Sequence, residues 1–434
     1  MRRLGNRRST MTATVAILAA TTALTTTSAS ASSRHAATTP GVTAQSITVG
    51  SLITRTGFAA ADFGAELDGV NAYLKMVNSQ GGVNGRTIVM RYALDDASSP
   101  SADTQLVHQL VNQDHVFAVV GVGTVFFSGL PYLVSTKTPT FGYATEDDWS
   151  PAPNLFAAYG SYINFASASA PVAYAVKQAK ATKVGIVAYN VAQSAKECSA
   201  LSSGLKKLKL TVAYTNTSVP FLGQMSPFAT KMKQEGVNYV ISCMDEGGDL
   251  SLVRALQNVG LSSVHTLWFD GYDRVALQHY PSVYANAQFL VQHLPFEAAA
   301  AFPGKFPGLE TYLTAMAAAN KSSTYSESAM EGWLSAALFV GGLQRAGRNL
   351  TQAGLINAVN SITNFTGGGL TTPVNWQLAH RKDTPPACEA FVGVSGSSFK
   401  LLYNRSTNPW ICFPLSGSID LTKPVAPPPG SPGA

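Results

Sequence analysis

Charge is scarce in this sequence. Only 12% of the 434 residues are Asp, Glu, Lys or Arg, against 46% hydrophobic residues. Disordered chains show the reverse, so the body is expected to be globular and well cored. Acids are missing altogether before Asp62, while Arg2, Arg3, Arg7 and Arg8 crowd the first eight residues. Setting those four positive charges aside lowers the formal net charge from +6 to +2. A nearly neutral body lacks the basic footprint that phosphate backbones require, which excludes nucleic acid as a partner.

Long apolar runs are missing too. A membrane-spanning helix needs about 20 largely apolar residues, and no stretch qualifies. Met11–Leu24 is short and rich in Thr, and Ala329–Gly342 (AMEGWLSAALFVGG) carries Glu331 and reads as a buried helix. The basic start Met1–Arg8, the apolar stretch after it and the small-residue site Ala29-Ser30-Ala31 have the pattern of a secretory signal. Export to the periplasm or the extracellular, cell-wall-associated space is therefore expected. No Cys stands at that site to take a lipid, and Arg7-Arg8 leaves a twin-arginine route open beside the general one.

Cysteine and histidine are few, at four and seven residues, and no C-x-x-C spacing occurs. A zinc site is not expected, nor any cofactor. G-x-S-x-G, H-E-x-x-H and P-loop patterns are also absent, so the chain is not expected to be an enzyme. In an exported chain an even number of cysteines points to disulfides.

What is present is a repeated grammar of strand, loop and helix. Ile47–Ile53 alternates β-branched residues, and Leu67, Val70, Leu74 and Val77 then recur at helical spacing. Thr87–Leu94 is the next strand. Ser99-Pro100 opens a helix as a cap followed by Pro at the first helical position. Phe117–Gly121 is short and continuously apolar, as in strands buried on both faces of a parallel sheet. The grammar restarts after Ser150–Ala170, with strands Val184–Tyr189, Leu210–Thr215, Tyr239–Ser242 and His265–Phe269. Helices Ala192–Lys207, Ser226–Glu235 and Asp249–Val259 separate them, Ser226-Pro227 repeating the cap-and-proline opening. Two such runs predict an α/β protein of two Rossmann-like lobes, each a parallel sheet covered by helices. On this layout Cys198 and Cys243 fall in one lobe, while Cys388 and Cys412 flank a two-stranded excursion over Phe391–Leu402. Pairings Cys198–Cys243 and Cys388–Cys412 are expected. The Gly81–Gly85 turn runs from a helix into a strand, the wrong direction for a phosphate cradle.

The segment Ser46–Pro100 resembles the start of type I periplasmic binding proteins, in their branched-chain amino-acid-binding branch. The likeness rests on Thr56-Gly57, on Gly64, on Asn78 followed by Gly81, Gly82, Gly85 and Arg86, and on Asp95-Asp96 followed by Ser-Ser-Pro. Ala255–Leu261, Leu267–Gly271 and Gly369–Trp376 continue it. The resemblance implies three chain crossings between the lobes and a ligand in the cleft. With the signal segment at 1–31 and a flexible segment at 32–45, lobe 1 is expected at 46–160 and 293–364. Lobe 2 takes 161–292 and 365–420, and a disordered Pro-rich tail takes 421–434.

In open parallel sheets ligands bind beyond the carboxyl ends of strands. This selects loops Thr54–Phe63, Gly121–Ser128 and Tyr143–Asp147 in lobe 1, and Asn190–Ser194, Met244–Gly248 and Asp270–Asp273 in lobe 2. The resemblance implies that Thr124, Ser128 and Thr145 hold a ligand carboxylate and that Asp270 pairs with its ammonium. Asp270 can equally cap a turn with Gly271. Glu246 and Gln193 fall at or beside positions the family usually fills with Tyr. Tyr143 opens a selected loop, and at least one of Phe126 and Phe127 is expected to line the cleft. Val125-Phe126-Phe127 replaces the family's serines, and its usual Arg is missing from Asn154–Tyr162. These departures point away from leucine toward an aromatic or amide-bearing amine, or a small peptide-like compound. The implied role is the solute-binding component of an ABC-type uptake system, a monomer docking on a permease. The alternative is a sensor of the same fold that signals to a membrane partner.

Overall fold

The computed structural model describes residues 39–381, 387–405 and 407–434. The expected signal segment 1–31 lies outside them. Of the segment expected to be flexible, 32–45, the described part from Thr39 is folded onto the first lobe. The Thr39 hydroxyl donates to the Leu350 carbonyl at 2.9 Å, and the Thr48 amide donates to Gly41 at 2.7 Å.

The first sheet contains β1 (Ser46–Ile53), β2 (Thr87–Leu94), β3 (Ala118–Gly123), β4 (Thr140–Gly142) and β5 (Leu155–Ala157). Their order is β2-β1-β3-β4-β5, all parallel. β3 is buried at every position, as a strand covered on both faces must be. The second sheet contains β6 (Val184–Tyr189), β7 (Val212–Val219), β8 (Tyr239–Cys243), β9 (His265–Trp268) and β10 (Ala287–Val291), which run parallel. Antiparallel β11 (Ala387–Ser395) and β12 (Ser398–Leu402) extend it, and β13 (Ile411–Phe413) pairs with β11. The order is β12-β11-β10-β9-β8-β6-β7. Among the described residues no helix is long and apolar enough to cross a membrane.

Local chemistry explains the frame. Asn78, near the end of the helix Glu66–Ser79, exchanges two hydrogen bonds with the backbone of Ile88 and so seats β2. Asp95 accepts from the amides of Arg55, Thr56 and Ala97, while Asp96 accepts from the hydroxyls of Thr54 and Thr124, both at 2.6 Å. The Asp95-Asp96 pair therefore ties together the loops after β1 and β3. Ser99 caps its helix as expected, through the Ala102 amide. Ser226 does not: it lies inside the helix Ser226–Glu235, with Met225 at the cap position.

Both cysteine pairs form as expected. Cys198 on the helix Ala192–Lys207 bonds Cys243 at the end of β8, with 6.0 Å between Cα atoms. Cys388 and Cys412 face each other across the β11–β13 ladder at 4.0 Å.

Two expected boundaries move. Phe365, Val374, Trp376 and Ala379 pack into the apolar core beneath the first sheet, so this stretch lies with lobe 1, not lobe 2. The described chain is again part of the second sheet from Ala387, where β11 begins. The tail 421–434, expected to be disordered, is packed. Val425 donates its amide to Cys412, the Trp410 indole donates to the Pro432 carbonyl at 3.1 Å, and Leu421 and Ser431 are buried. The prolines remove backbone donors, but Trp410 and the β13 edge supply partners that a composition reading does not see.

Candidate functional site

The carboxyl ends of the parallel strands from both sheets converge on one cavity of about 420 Å³, within the range of small-molecule sites. The first lobe contributes Asp62, Val125, Tyr143, Thr145 and Tyr159. The second contributes Tyr189, Gln193, Glu197, Phe221, Asp245 and Asp270. The chain passages between sheets add Gln292, Thr371 and Thr372, the helix Glu327–Ala346 adds Glu327 and Glu331, and β11 adds Glu389. Among the described residues, no Lys, Arg or His stands in this wall.

Each acidic side chain is held by local structure. Asp245 is the N-cap of the helix Glu246–Asn258: it accepts from the Gly248 amide at 2.7 Å and from the Tyr189 hydroxyl at 2.8 Å. Asp270 follows β9 and accepts from the Gly271 amide at 2.6 Å. That turn needs glycine, since Gly271 has φ +86° and a Cβ there would meet Glu246 Cγ at 3.3 Å. Asp62 approaches from the first lobe, accepts from the Glu246 amide at 3.2 Å and shares a hydrogen bond with Asp270. Glu327 and Glu331 are four residues apart, hence on the same face of one helix.

Burial raises the proton affinity of these groups. Asp62 is raised well above the usual carboxylate range by burial, then by the charges of Asp270 and Asp245. Asp270 is pushed up to about 6, chiefly by burial, the bond from Asp62 holding it back. Burial raises Glu197 to about 7. Glu327, Glu331 and Glu389 lie well above the normal range, first through burial and then through one another and their acidic neighbours. The Tyr159 hydroxyl, Thr371 Oγ1, and Oε2 of both Glu327 and Glu389 have no hydrogen-bond partner among the described residues. A buried carboxylate is costly to ionise unless a cation reaches it.

The wall closes over by contacts between the lobes. Phe58 packs edge-on to Phe221 with ring centroids 4.8 Å apart, Phe221 lies 4.4 Å from the ring of Tyr189, and Lys196 pairs with Asp147.

Of the residues expected from sequence, Tyr143, Thr145, Gln193 and Asp270 stand in the cavity wall. Five stand outside it. Thr124 is buried and spends its hydroxyl on Asp96. Phe127 is core, 5.5 Å from the ring of Trp149, so the expectation that it or Phe126 lines the cleft fails for Phe127. Phe126 faces the rim, edge-on to Phe58 at 6.2 Å, and Ser128 is exposed. Val125 takes the wall position the phenylalanines were expected to fill. Glu246 is buried beside Gly271 rather than in the wall, and burial with its Asp neighbours raises it to about 8.

Sequence reasoning missed Asp62, Tyr159, Glu327, Glu331 and Glu389. Glu331 had a signal, being a lone charge in an apolar helix, and Glu327 one turn earlier shares its face. Asp62 lies in a selected loop and is its only acid. For Tyr159 and Glu389 no local pattern exists, because chain passages distant in sequence bring them to the cavity.

The fold and cavity are those of a two-lobed ligand-binding protein, and the chain belongs to the periplasmic binding protein family, whose pattern it matches over residues 46–395. It is 27% identical over 229 residues to the Leu/Ile/Val-binding protein homolog 3 of Brucella melitensis, a match covering 50% of this chain and 60% of that relative's length. Its fold is similar to that of a fatty acid ABC transporter substrate-binding protein from Thermomonospora curvata, at TM-score 0.71 and 19% identity over 91% of this chain and 97% of that one. It is also similar to a branched-chain amino acid transporter substrate-binding protein from Streptococcus pneumoniae in complex with isoleucine. There the TM-score is 0.63 at 16% identity, over 82% and 99% of the two chains.

Proposed function

We propose that this protein is the exported solute-binding component of an ABC-type uptake system, holding a small amine-bearing or amino-acid-like ligand between its lobes. The observation that carries the reading is Asp270, a carboxylate in the cavity wall whose close partners among the described residues are an amide and another acid. An ammonium group supplies the missing positive charge, and a charge-assisted bond in a partly dry cleft is strong. Tyr143 and Thr145, across the cavity on the first lobe, offer hydroxyls to the rest of the ligand. Fatty acids and isoleucine, named for two structural neighbours, carry a carboxylate, and this wall offers that group no cation among its described residues.

Residues of both lobes form the wall, so a ligand that touches both stabilises the closed arrangement by its differential affinity and drives hinge closure. The closed form then docks on a membrane permease. A thermal-shift screen with amines, amino acids, amides and aromatic acids tests the reading. An amine or amino acid that raises the unfolding temperature and is recovered unchanged supports it. Turnover of the compound, or stabilisation by carboxylic acids alone, contradicts it.

A further inference from the structure

We infer that the ligand of this cleft carries two separated positively charged nitrogens, the second received by Glu327, Glu331 and Glu389. This rests on the reading that an amine occupies the cavity at Asp270. One ammonium at Asp270 leaves the second group of acids unexplained. Glu327 and Glu331 come from successive turns of one helix, and Glu389 comes from a strand of the other sheet. All three line the same cavity, with no described Lys, Arg or His among the lining residues.

Each member has a bland alternative that the geometry weakens. An acid in a helix first turn gains from the helix dipole, which accounts for Glu327. Glu331 is a full turn further in, buried to 7% exposure and flanked by Met330 and Gly332 on a helix otherwise apolar over this stretch. Glu389 is 3% exposed, and its Oε2 has no partner among the described residues. The hydroxyls of Tyr159 and Thr371, also unpartnered, line the same cavity. Buried polar atoms are almost always satisfied, and several unpartnered ones on residues that line one cavity point to a partner outside the described residues. An ammonium or guanidinium brings three or more N–H donors with a positive charge and answers the whole set. A ligand with a single cationic end leaves these acceptors unmet.

Titration calorimetry of the full mature chain at pH 7.5 tests this, with 1,4-diaminobutane, 1,5-diaminopentane and agmatine as dications. Butylamine and L-leucine serve as singly cationic probes. At least one dication is expected to bind ten times or more tightly than butylamine, since each charge-assisted contact supplies a factor of that order. Glu331→Gln and Glu389→Gln are expected to lower dication affinity about tenfold or more, and butylamine affinity by a smaller factor. Both variants should melt at the same or a higher temperature without ligand, because each removes a buried acid lacking a cation. Leucine or butylamine binding as tightly as every dication, with loss in Asp270→Asn, overturns the inference and keeps the amine reading. Dication binding that survives both glutamine variants likewise overturns it. No binding by any of the five probes overturns both.

Discussion

The backbone amide of Glu246, at the start of a second-lobe helix, donates across the cleft to Oδ1 of Asp62 in the first lobe at 3.2 Å. Asp62 also hydrogen-bonds Asp270, so two bonds from one side chain join the lobes at the acidic wall. The lobe contact and the carboxylate proposed to hold the ligand are thus linked through a single side chain. Asp62→Ala is expected to loosen the ligand-free lobes, read as a larger radius of gyration in X-ray scattering, and to weaken amine binding. Asp62→Asn keeps an acceptor for the amide and should change the radius little.

The pH dependence has a definite sign. Asp270, Glu197 and Glu246 sit at about 6, 7 and 8, above the value near 4 of an unfolded acid. A raised folded value means the ligand-free protein holds protons the unfolded chain releases. This contribution is complete below about pH 4 and is lost as pH rises through 6 to 8. An amine favours the ionised acids, so its binding should tighten over the same interval and expel protons, by up to about tenfold per pH unit for each proton released. Calorimetry in buffers of different ionisation heat counts those protons. Binding that weakens between pH 5 and 8 contradicts the account.

Phe127 separates core from cleft. Phe127→Ala is expected to cost about 3–5 kcal/mol of stability, measured by denaturant unfolding, while the folded fraction binds ligand as before. Tyr159→Phe should do the reverse, leaving stability near wild type and lowering affinity, since Tyr159 lines the cavity and its buried hydroxyl has no partner among the described residues.

The disulfides adjoin the site, with Cys243 and Cys388 both in the cavity wall. Replacing Cys198 and Cys243 together by Ser, or Cys388 and Cys412, should cost roughly 3–4 kcal/mol on the loop-closure argument. Unfolding midpoints with and without reductant check this: wild type should fall under reduction, and each variant should fall by less.

The frame was legible because its signals are local. Val184–Tyr189, Ala192–Lys207 and Thr87–Leu94 have the ends their periodicity predicts, and both disulfides follow from the lobe layout. The strand-end rule selected the loops that carry Tyr143, Thr145, Gln193 and Asp270, and the resemblance singled out the last three within them. It went astray at 124–128, where the chain turns so that Val125 alone meets the cavity and Thr124 is claimed by Asp96. Lobe boundaries and the hinge-side acids were not legible. Phe365–Ala379 and Glu389 are assigned by packing against elements more than a hundred residues away, which no local pattern encodes.

The central claim is that Asp270 holds the positively charged nitrogen of the ligand. Calorimetric titration of wild type and Asp270→Asn with the best amine from the thermal-shift screen tests it most directly, each variant first checked for an unchanged melting transition. The account predicts a loss of affinity of about tenfold or more, with fewer protons released on binding. An Asp270→Asn protein that is folded and binds that amine with wild-type affinity contradicts it.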